Sequence, residues 1–204
     1  MKRFVLMVLL AMALPVAAFA NGSVDFTNAG GTLSAGNDGL SVTGSTLVMV
    51  DGLGGLGMVT GNLGTVSFST GALTSGSLSS GLAMFAAGGT FVITGNGTNG
   101  IPNTVLFTGT FDGPVKWEVI KSKGLLYYTI SGSITGTWYN GDTVNGAITV
   151  LTVPVSKKNP FSGGTIGLSS GDTNISTVPE PGTLGLMGTG LIGLAGALRR
   201  KLKS

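Results

Sequence analysis

Apolar and polar residues alternate with a two-residue period in the second half of the chain, most regularly over residues 125–139. Successive side chains of a β-strand point to opposite faces, so this period predicts a strand with one buried face and one exposed face. The run is long enough to form one bent strand or two, and its internal glycines are natural positions for a bulge. The predicted buried face comprises Leu126, Tyr128, Ile130, Gly132, Ile134, Gly136 and Trp138.

Turn-forming dipeptides separate this strand from other short runs that are rich in β-forming residues. Asn-Gly and Asp-Gly pairs recur along the chain, whereas the three- and four-residue apolar spacing of a long helix is sustained nowhere between residues 21 and 178. We therefore predict an all-β domain, either an antiparallel β-sandwich or a flattened barrel, flanked by an N-terminal signal helix and a C-terminal transmembrane helix. The other predicted strands span residues 23–27, 46–50, 66–69, 90–94, 105–111, 115–119 and 143–153.

Two turns are expected to order the second half of this domain. Asp112-Gly113-Pro114 is predicted to turn the chain, and Asn140-Gly141 suits the type I′ turn of a tight hairpin. That hairpin leads into residues 143–153, which are apolar on both faces and therefore predict a central strand. We interpret residues 101–155 as an antiparallel meander.

The first twenty residues have the composition of a secretory signal peptide. Lys2 and Arg3 precede an apolar run over residues 4–14, and Ala18 and Ala20 form the small-x-small pattern of a cleavage site. We predict a signal peptide over residues 1–20 that is cleaved after Ala20. The alternative, an N-terminal membrane helix, is disfavoured because the apolar run is too short to span a bilayer.

Residues 178–204 combine three features in sequence. The prolines of Pro179-Glu180-Pro181 oppose helix, an uncharged apolar run over residues 183–198 can enter a membrane, and a cationic cluster then resists crossing. A helix over 183–198 would span about 24 Å, whereas the hydrocarbon core of a bilayer is about 30 Å thick. This length favours a transient membrane stop, and a permanent anchor is the alternative. The cationic cluster comprises Arg199, Arg200 and Lys201.

The order of a Pro-Glu-Pro motif, a short Gly-rich membrane segment and an Arg-rich end resembles the PEP-CTERM sorting signal of exported bacterial proteins. The resemblance implies that an exosortase, a membrane-embedded cysteine transpeptidase, recognises Pro179, Glu180 and Pro181 and removes the tail. It implies an intermediate in the inner membrane, followed by release to the cell surface or the extracellular matrix. It implies nothing about the activity of the preceding residues.

These signals divide the chain into four parts. The signal peptide precedes an exported β domain over residues 21–155, then a last short strand and a Gly/Ser-rich stalk over 156–177, and then the sorting signal over 178–204.

Between residues 21 and 178, five lysines stand against seven carboxylates, which gives a net charge near −2 (5 − 7). This balance lacks the basic face of nucleic-acid-binding proteins, so nucleic acid is not an expected partner. The cluster of Lys116, Lys121 and Lys123 beside Trp117 is interpreted as a solvated strand end.

Few residue types that support catalysis are present. The chain has no cysteine and no histidine, which excludes disulfides, Ser-His-Asp and Cys-His nucleophiles, and the usual zinc, copper and iron ligand sets. Asp112 and Glu118 are six residues apart across a predicted turn, so they can approach one another as the paired carboxylates of glycoside hydrolysis do. The simpler interpretation is that Asp112 forms the turn and Glu118 is a solvated strand residue. We therefore predict no catalytic residue, no metal, no cofactor and no enzymatic activity.

Aromatic residues offer one further binding chemistry. Trp117, Tyr128 and Trp138 fall on apolar faces and are assigned to the core, which leaves Tyr127 and Tyr139 as surface aromatics that can stack on sugars. The sequence therefore favours an exported, C-terminally sorted surface or extracellular-matrix protein with a structural or adhesive role. The alternative is a carbohydrate-binding module for extracellular polysaccharide.

Overall fold

A computed structural model describes residues 22–177, together with Gly188, Gly190 and Gly193, which are helical. The predicted all-β class with antiparallel strands is confirmed. No helix among these residues is long and apolar enough to cross a membrane. The predicted signal peptide over 1–20 and, apart from the three glycines, the predicted helix over 183–198 lie outside the described residues.

One 13-stranded sheet makes up the described domain. Two short 3-10 helices, Leu53–Gly55 and Thr98–Gly100, lie between its strands. Each predicted strand corresponds to part or nearly all of an observed strand. The strands are β1 (Ser23–Ala29), β2 (Thr32–Gly36), β3 (Gly39–Asp51), β4 (Val59–Ser69), β5 (Leu73–Ser77), β6 (Leu82–Phe85), β7 (Gly88–Gly95), β8 (Val105–Phe111), β9 (Val115–Ser122), β10 (Leu125–Trp138), β11 (Thr143–Thr152), β12 (Val155–Ser156) and β13 (Gly164–Thr177).

The sheet closes on itself rather than dividing into two hydrogen-bonded sheets. Its order runs β3–β4–β7–β8–β10–β11–β13 and returns to β3 through β1 and β2. Strands β1 and β2 lie end to end between β13 and β3. Strands β9, β6 and β5 extend the sheet beside the first half of β10. Closure pairs strand edges that an open sheet would leave available for association with other chains.

The predicted turn at residues 112–114 does not reverse the chain, because β8 and β9 run in the same direction along one edge of β10. Phe111 pairs with Ile134, and Lys116 pairs with Ser131. The interval of five residues from Phe111 to Lys116 therefore lies opposite an interval of three residues in β10 (116 − 111 = 5; 134 − 131 = 3). The two extra residues form a bulge, so a sequence that is typical of a hairpin turn here serves to continue one edge of the sheet.

The chain does reverse at Asn140-Gly141, between β10 and β11, but the predicted type I′ turn is wrong. A type I′ turn needs positive φ at both central residues, and of these two residues only Gly141 has it, at 94°. The Gly141 N–H donates to the Trp138 carbonyl at 2.9 Å, so Tyr139 and Asn140 are the central residues. Since neither has positive φ, the turn is type I and is followed by a left-handed glycine.

The predicted stalk is wrong for its last 14 residues, because Gly164–Thr177 form strand β13. β11 pairs with one edge of β13, and β1 and β2 pair with the other, so the strand lies inside the sheet. The compact unit therefore extends from Ser23 to Thr177 instead of ending near residue 155. Its glycines make room for neighbours: a Cβ at Gly171 would lie 2.5 Å from the Oδ1 of buried Asn28.

The inward faces of the strands form one hydrophobic core. The predicted buried face of β10 is confirmed, because its apolar side chains alternate with exposed or half-buried Thr and Ser. β10 is one strand of 14 residues, which decides between the one-strand and two-strand alternatives. Its buried side chains are Leu126, Tyr128, Ile130 and Ile134, and Trp138 packs against the core.

Three aromatic side chains pack together at the end of the core that lies beneath the loop joining β12 to β13. Trp117 stacks on Tyr128 with ring centroids 4.7 Å apart, and Phe161 contacts both rings. The Tyr128 hydroxyl accepts the backbone N–H of Phe161 at 3.0 Å, and the Tyr128 N–H donates to the Thr152 hydroxyl at 3.0 Å. The loop is thereby fixed to β10 by a buried hydrogen bond and by ring packing.

Candidate functional site

The strand register brings both ends of the described domain to one end of the closed sheet. Ser23 pairs with Ser176, and Thr177 pairs with Val144. The β10–β11 turn lies at the same end, because Thr143, the first residue of β11, pairs with Thr137 near the end of β10. We call this the exit end.

The opposite end of the sheet carries most of the lysines of the domain, and we call it the lysine end. Lys121 lies near the end of β9, Lys123 lies in the β9–β10 turn, and Lys157 and Lys158 lie in the loop that joins β12 to β13. All four side chains are exposed. The fifth lysine, Lys116, lies within β9. The sequence does not show this grouping, since the two pairs are separated by all of β10 and β11.

A cleft of about 340 Å³ opens at the lysine end. β9 and β10 form its floor, the turn between β5 and β6 forms one wall, and the loop after β12 forms the other. Cations and hydroxyls surround a floor of apolar side chains and a tyrosine. The residues that define it are Ser79, Ser80, Val119, Lys121, Leu126, Tyr128 and Lys157.

Strand alternation divides the lysine cluster that the sequence places beside Trp117. Lys116 lies on the outer face, where its Nζ is 2.7 Å from a Glu118 carboxylate oxygen. Lys121 instead follows buried Trp117 and half-buried Val119 on the inward face, at the point where the core reaches solvent. The interpretation of a solvated strand end holds for Lys116, whereas Lys121 lines the cleft. Assigning alternate residues of β9 to opposite faces would have placed Lys116 on the outer face and Lys121 on the inward face.

The two predicted surface aromatics do not come together. Tyr127 lies near the start of β10, opposite Ile120 of β9, and is half-buried. Tyr139 lies in the turn after β10 at the exit end and is 44% exposed. Twelve residues along a strand correspond to about 40 Å, so the two rings cannot contact the same sugar.

The two carboxylates considered for hydrolysis are also far apart. Asp112 accepts a hydrogen bond from the Ser133 hydroxyl, and Glu118 pairs with Thr129. Four residues of β10 separate these positions, which corresponds to about 13 Å. Paired carboxylates of glycosidases lie about 5 to 9.5 Å apart. The arrangement does not match that chemistry.

The predicted processing residues lie outside the described part of the chain. The sorting motif nevertheless starts close to the folded domain along the chain, because β13 continues to Thr177, two residues before Pro179. Paired strand backbone therefore reaches almost to the motif. The residues outside the description are Ala18, Ala20, Pro179, Glu180, Pro181, Arg199, Arg200 and Lys201.

Comparison with protein-family models matches residues 177–201 to the PEP-CTERM protein-sorting motif. The chain carries a PEP-CTERM sorting signal. This signal implies an exported protein that an exosortase processes and sorts to the cell envelope or surface. The match begins at the last residue of β13, so the folded domain and the PEP-CTERM signal are contiguous. Neither the curated proteins nor the solved structures contain a match to the chain.

Proposed function

We propose that this PEP-CTERM protein is a non-enzymatic component of the cell surface or extracellular matrix, with a structural or adhesive role. One observation carries the proposal: the last strand ends where the sorting signal begins, at Thr177. Removal of the signal would therefore leave the closed domain whole. A sheet whose long strands are paired on both edges suits a protein that must persist outside the cell without any disulfide.

The proposed route follows from the terminal sequences. The signal peptide is cleaved after Ala20 during export, and the apolar run over 183–198 holds the chain in the inner membrane. Arg199, Arg200 and Lys201 stop further transfer. The exosortase then acts near Pro179-Glu180-Pro181, and the domain reaches the surface or the matrix.

The non-enzymatic role is supported by the placement of the carboxylates. Asp112 is engaged by the Ser133 hydroxyl, and Glu118 is engaged by Lys116. No group of three carboxylates that could hold a metal ion occurs among residues 22–177.

The sorting route is tested by the intact mass of the protein in surface and membrane fractions of its native host, with and without the exosortase. We expect a species that starts at Asn21 and ends between residues 178 and 181 only when the enzyme is present. A species that keeps Arg199 to the C-terminus in both strains would show that the tail is a permanent anchor. That result would refute the sorting route.

The structural or adhesive role is tested by surface attachment and matrix yield of a host that lacks the protein. Complementation with the full chain should restore both quantities. A chain that ends at Thr177 keeps every strand but lacks the sorting signal, so it should be exported without restoring attachment. Normal attachment of the host without the protein would contradict the proposed role.

Carbohydrate binding is the second candidate, and the exposure of Tyr139 favours it. The residue is 44% exposed, and its ring centroid lies 5.8 Å from that of Trp138, which supports the ring from one side. We expect retention on an immobilised polysaccharide that is weakened by Tyr139→Ala and, separately, by Tyr127→Ala. Since the two rings are far apart, their effects should add. Unchanged retention in both variants would exclude this use of the tyrosines.

A further inference from the structure

The lysine end combines a concave site with cations that have no acidic partner. Among residues 22–177, the ion pair of Lys116 with Glu118 is the only one. The other four lysines are exposed and grouped at the lysine end, and Lys121 and Lys157 line the cleft. Two cationic residues from separate segments therefore line one cavity, which is an arrangement that can bind an anionic group from two sides.

The cleft also offers neutral contacts of two kinds. Ser79 brings a hydroxyl that can donate and accept hydrogen bonds, whereas the Ser80 hydroxyl donates to backbone carbonyls within the turn and can only accept from a ligand. Leu126 and Val119 bring an apolar floor, and Tyr128 lies beside them. The volume of about 340 Å³ is at the lower end of the range of small-molecule sites. Cations, hydroxyls and an apolar floor together match a sugar ring that bears a carboxylate.

The walls of the cleft are held in position before any ligand arrives. The Tyr128 hydroxyl binds the N–H of Phe161, which fixes the loop that carries Lys157 and Pro160. On the facing wall, the Ser80 N–H donates to the Ser77 hydroxyl at 3.2 Å, which closes the β5–β6 turn. A site whose walls are already ordered loses less conformational entropy when it binds.

We propose that this cleft binds carboxylate-bearing sugar units of an acidic polysaccharide, with Lys121 and Lys157 as the residues that bind the carboxylate. The inference rests on the proposed surface or matrix function and names a ligand class for it. The site lies at the other end of the closed sheet from Thr177, where the chain continues into the sorting signal. Binding at the cleft therefore does not involve the residues that are processed.

A polysaccharide fits the charge of the domain better than a nucleic acid does. The described region holds five lysines and seven carboxylates, a net charge near −2 (5 − 7). A polyanion with a charge on every phosphate would be repelled outside the small lysine end. The rings of Trp117 and Phe161 are buried and are not exposed for base stacking. A polyuronate carries less charge along its length than double-stranded DNA, so the repulsion is weaker, and its hydroxyls can bind the polar wall of the cleft.

The test measures binding of the protein, purified from the surface fraction of its host, to immobilised polygalacturonate and alginate. Neutral dextran and double-stranded DNA serve as comparison ligands. The variant Lys121→Ala/Lys157→Ala removes both cations of the cleft. The matched control Lys123→Ala/Lys158→Ala removes the same charge from the same end without altering the lining. Circular dichroism of each variant checks that the fold is retained.

We expect the cleft variant to lose about tenfold in affinity for a carboxylated polymer and the control to lose less than about threefold. Lys121→Arg/Lys157→Arg should retain most of the affinity, because arginine also binds carboxylates. The proposal is overturned by equal losses in the cleft variant and its control, by DNA binding as tight as polymer binding, or by no binding to either polymer. Failure of the sorting route would appear in the intact mass and not in this assay.

Discussion

Strand β13 provides the sharpest test of the fold, because its Gly/Ser-rich sequence predicts a stalk whereas the structure places it inside the sheet. Gly171 lies beside Asn28 of β1, which is 2% exposed and whose Nδ2 donates to the Ser45 hydroxyl at 2.6 Å. A Cβ added at Gly171 would lie 2.5 Å from the Oδ1 of Asn28. The change Gly171→Ala must therefore displace a buried, hydrogen-bonded amide.

The expected cost of Gly171→Ala has two overlapping contributions. Loss of the Asn28 hydrogen bond inside the domain costs about 1–3 kcal/mol when a buried polar group is left unsatisfied. Forcing extra volume into a packed region costs about 1–3 kcal/mol. We expect the free energy of unfolding to fall by about 3 kcal/mol, which lowers the melting temperature by about 6–12 °C for a domain of this size.

Urea unfolding followed by circular dichroism measures this change, and Gly167→Ala is the matched control on the same strand. A Cβ at Gly167 would lie 3.4 Å from the nearest carbons of Val153, an acceptable contact. We expect the control to remain within about 0.5 kcal/mol of the wild type, because reduced unfolded-state entropy offsets a small strain. If Gly171→Ala is as mild as its control, the strand is not packed as described and the reasoning is refuted.

Three further changes test individual contacts. Tyr128→Phe removes the hydroxyl that accepts the Phe161 N–H. It should lower the free energy of unfolding by about 1–2 kcal/mol in urea, and no loss would contradict the fixed loop. Gly141→Ala places a side chain at a φ of 94° with no atom nearby. It should cost about 1–2 kcal/mol by the same assay from backbone strain alone. Lys116→Ala breaks an ion pair whose side chains are 45% and 51% exposed. Thermal unfolding should show a loss of less than about 1 kcal/mol, and a larger loss would point to an unrecognised contact.

The strands could be predicted from the sequence where side chains alternate strongly. β10 satisfies this condition because, over residues 128–138, apolar residues and glycines occupy its inward positions and Thr and Ser its outward ones. β13 does not satisfy it, because Gly167 and Gly171 take positions where neighbours supply the packing volume. The residues after Phe111 predict a chain reversal that does not occur. Turn residues indicate a break in a strand but not the direction of the chain after it.

The candidate site could be predicted only in part. Pattern reasoning assigned Trp117 and Tyr128 to the core, and both are buried. It did not separate Lys121, which lines the cleft, from Lys116, which is paired with Glu118 on the outer face. It could not bring Lys157 to the same cavity, because the loop that carries Lys157 is held against β10 by the pairing of β12 with β10 and by the contacts of Phe161 with Tyr128. Those contacts join residues that are 33 positions apart.

The sequence by itself determined the fold class and the sorting signal of this protein. Both are local properties: alternation concerns adjacent residues, and the PEP-CTERM signal is one contiguous segment. Only the tertiary structure decided that the sheet closes, that residues up to Thr177 belong to it, and that lysines from β9 and from the loop after β12 share a cleft. These features depend on pairings between distant residues, such as Ser23 with Ser176, whose free energy comes from packing and hydrogen bonds that no short stretch of sequence contains.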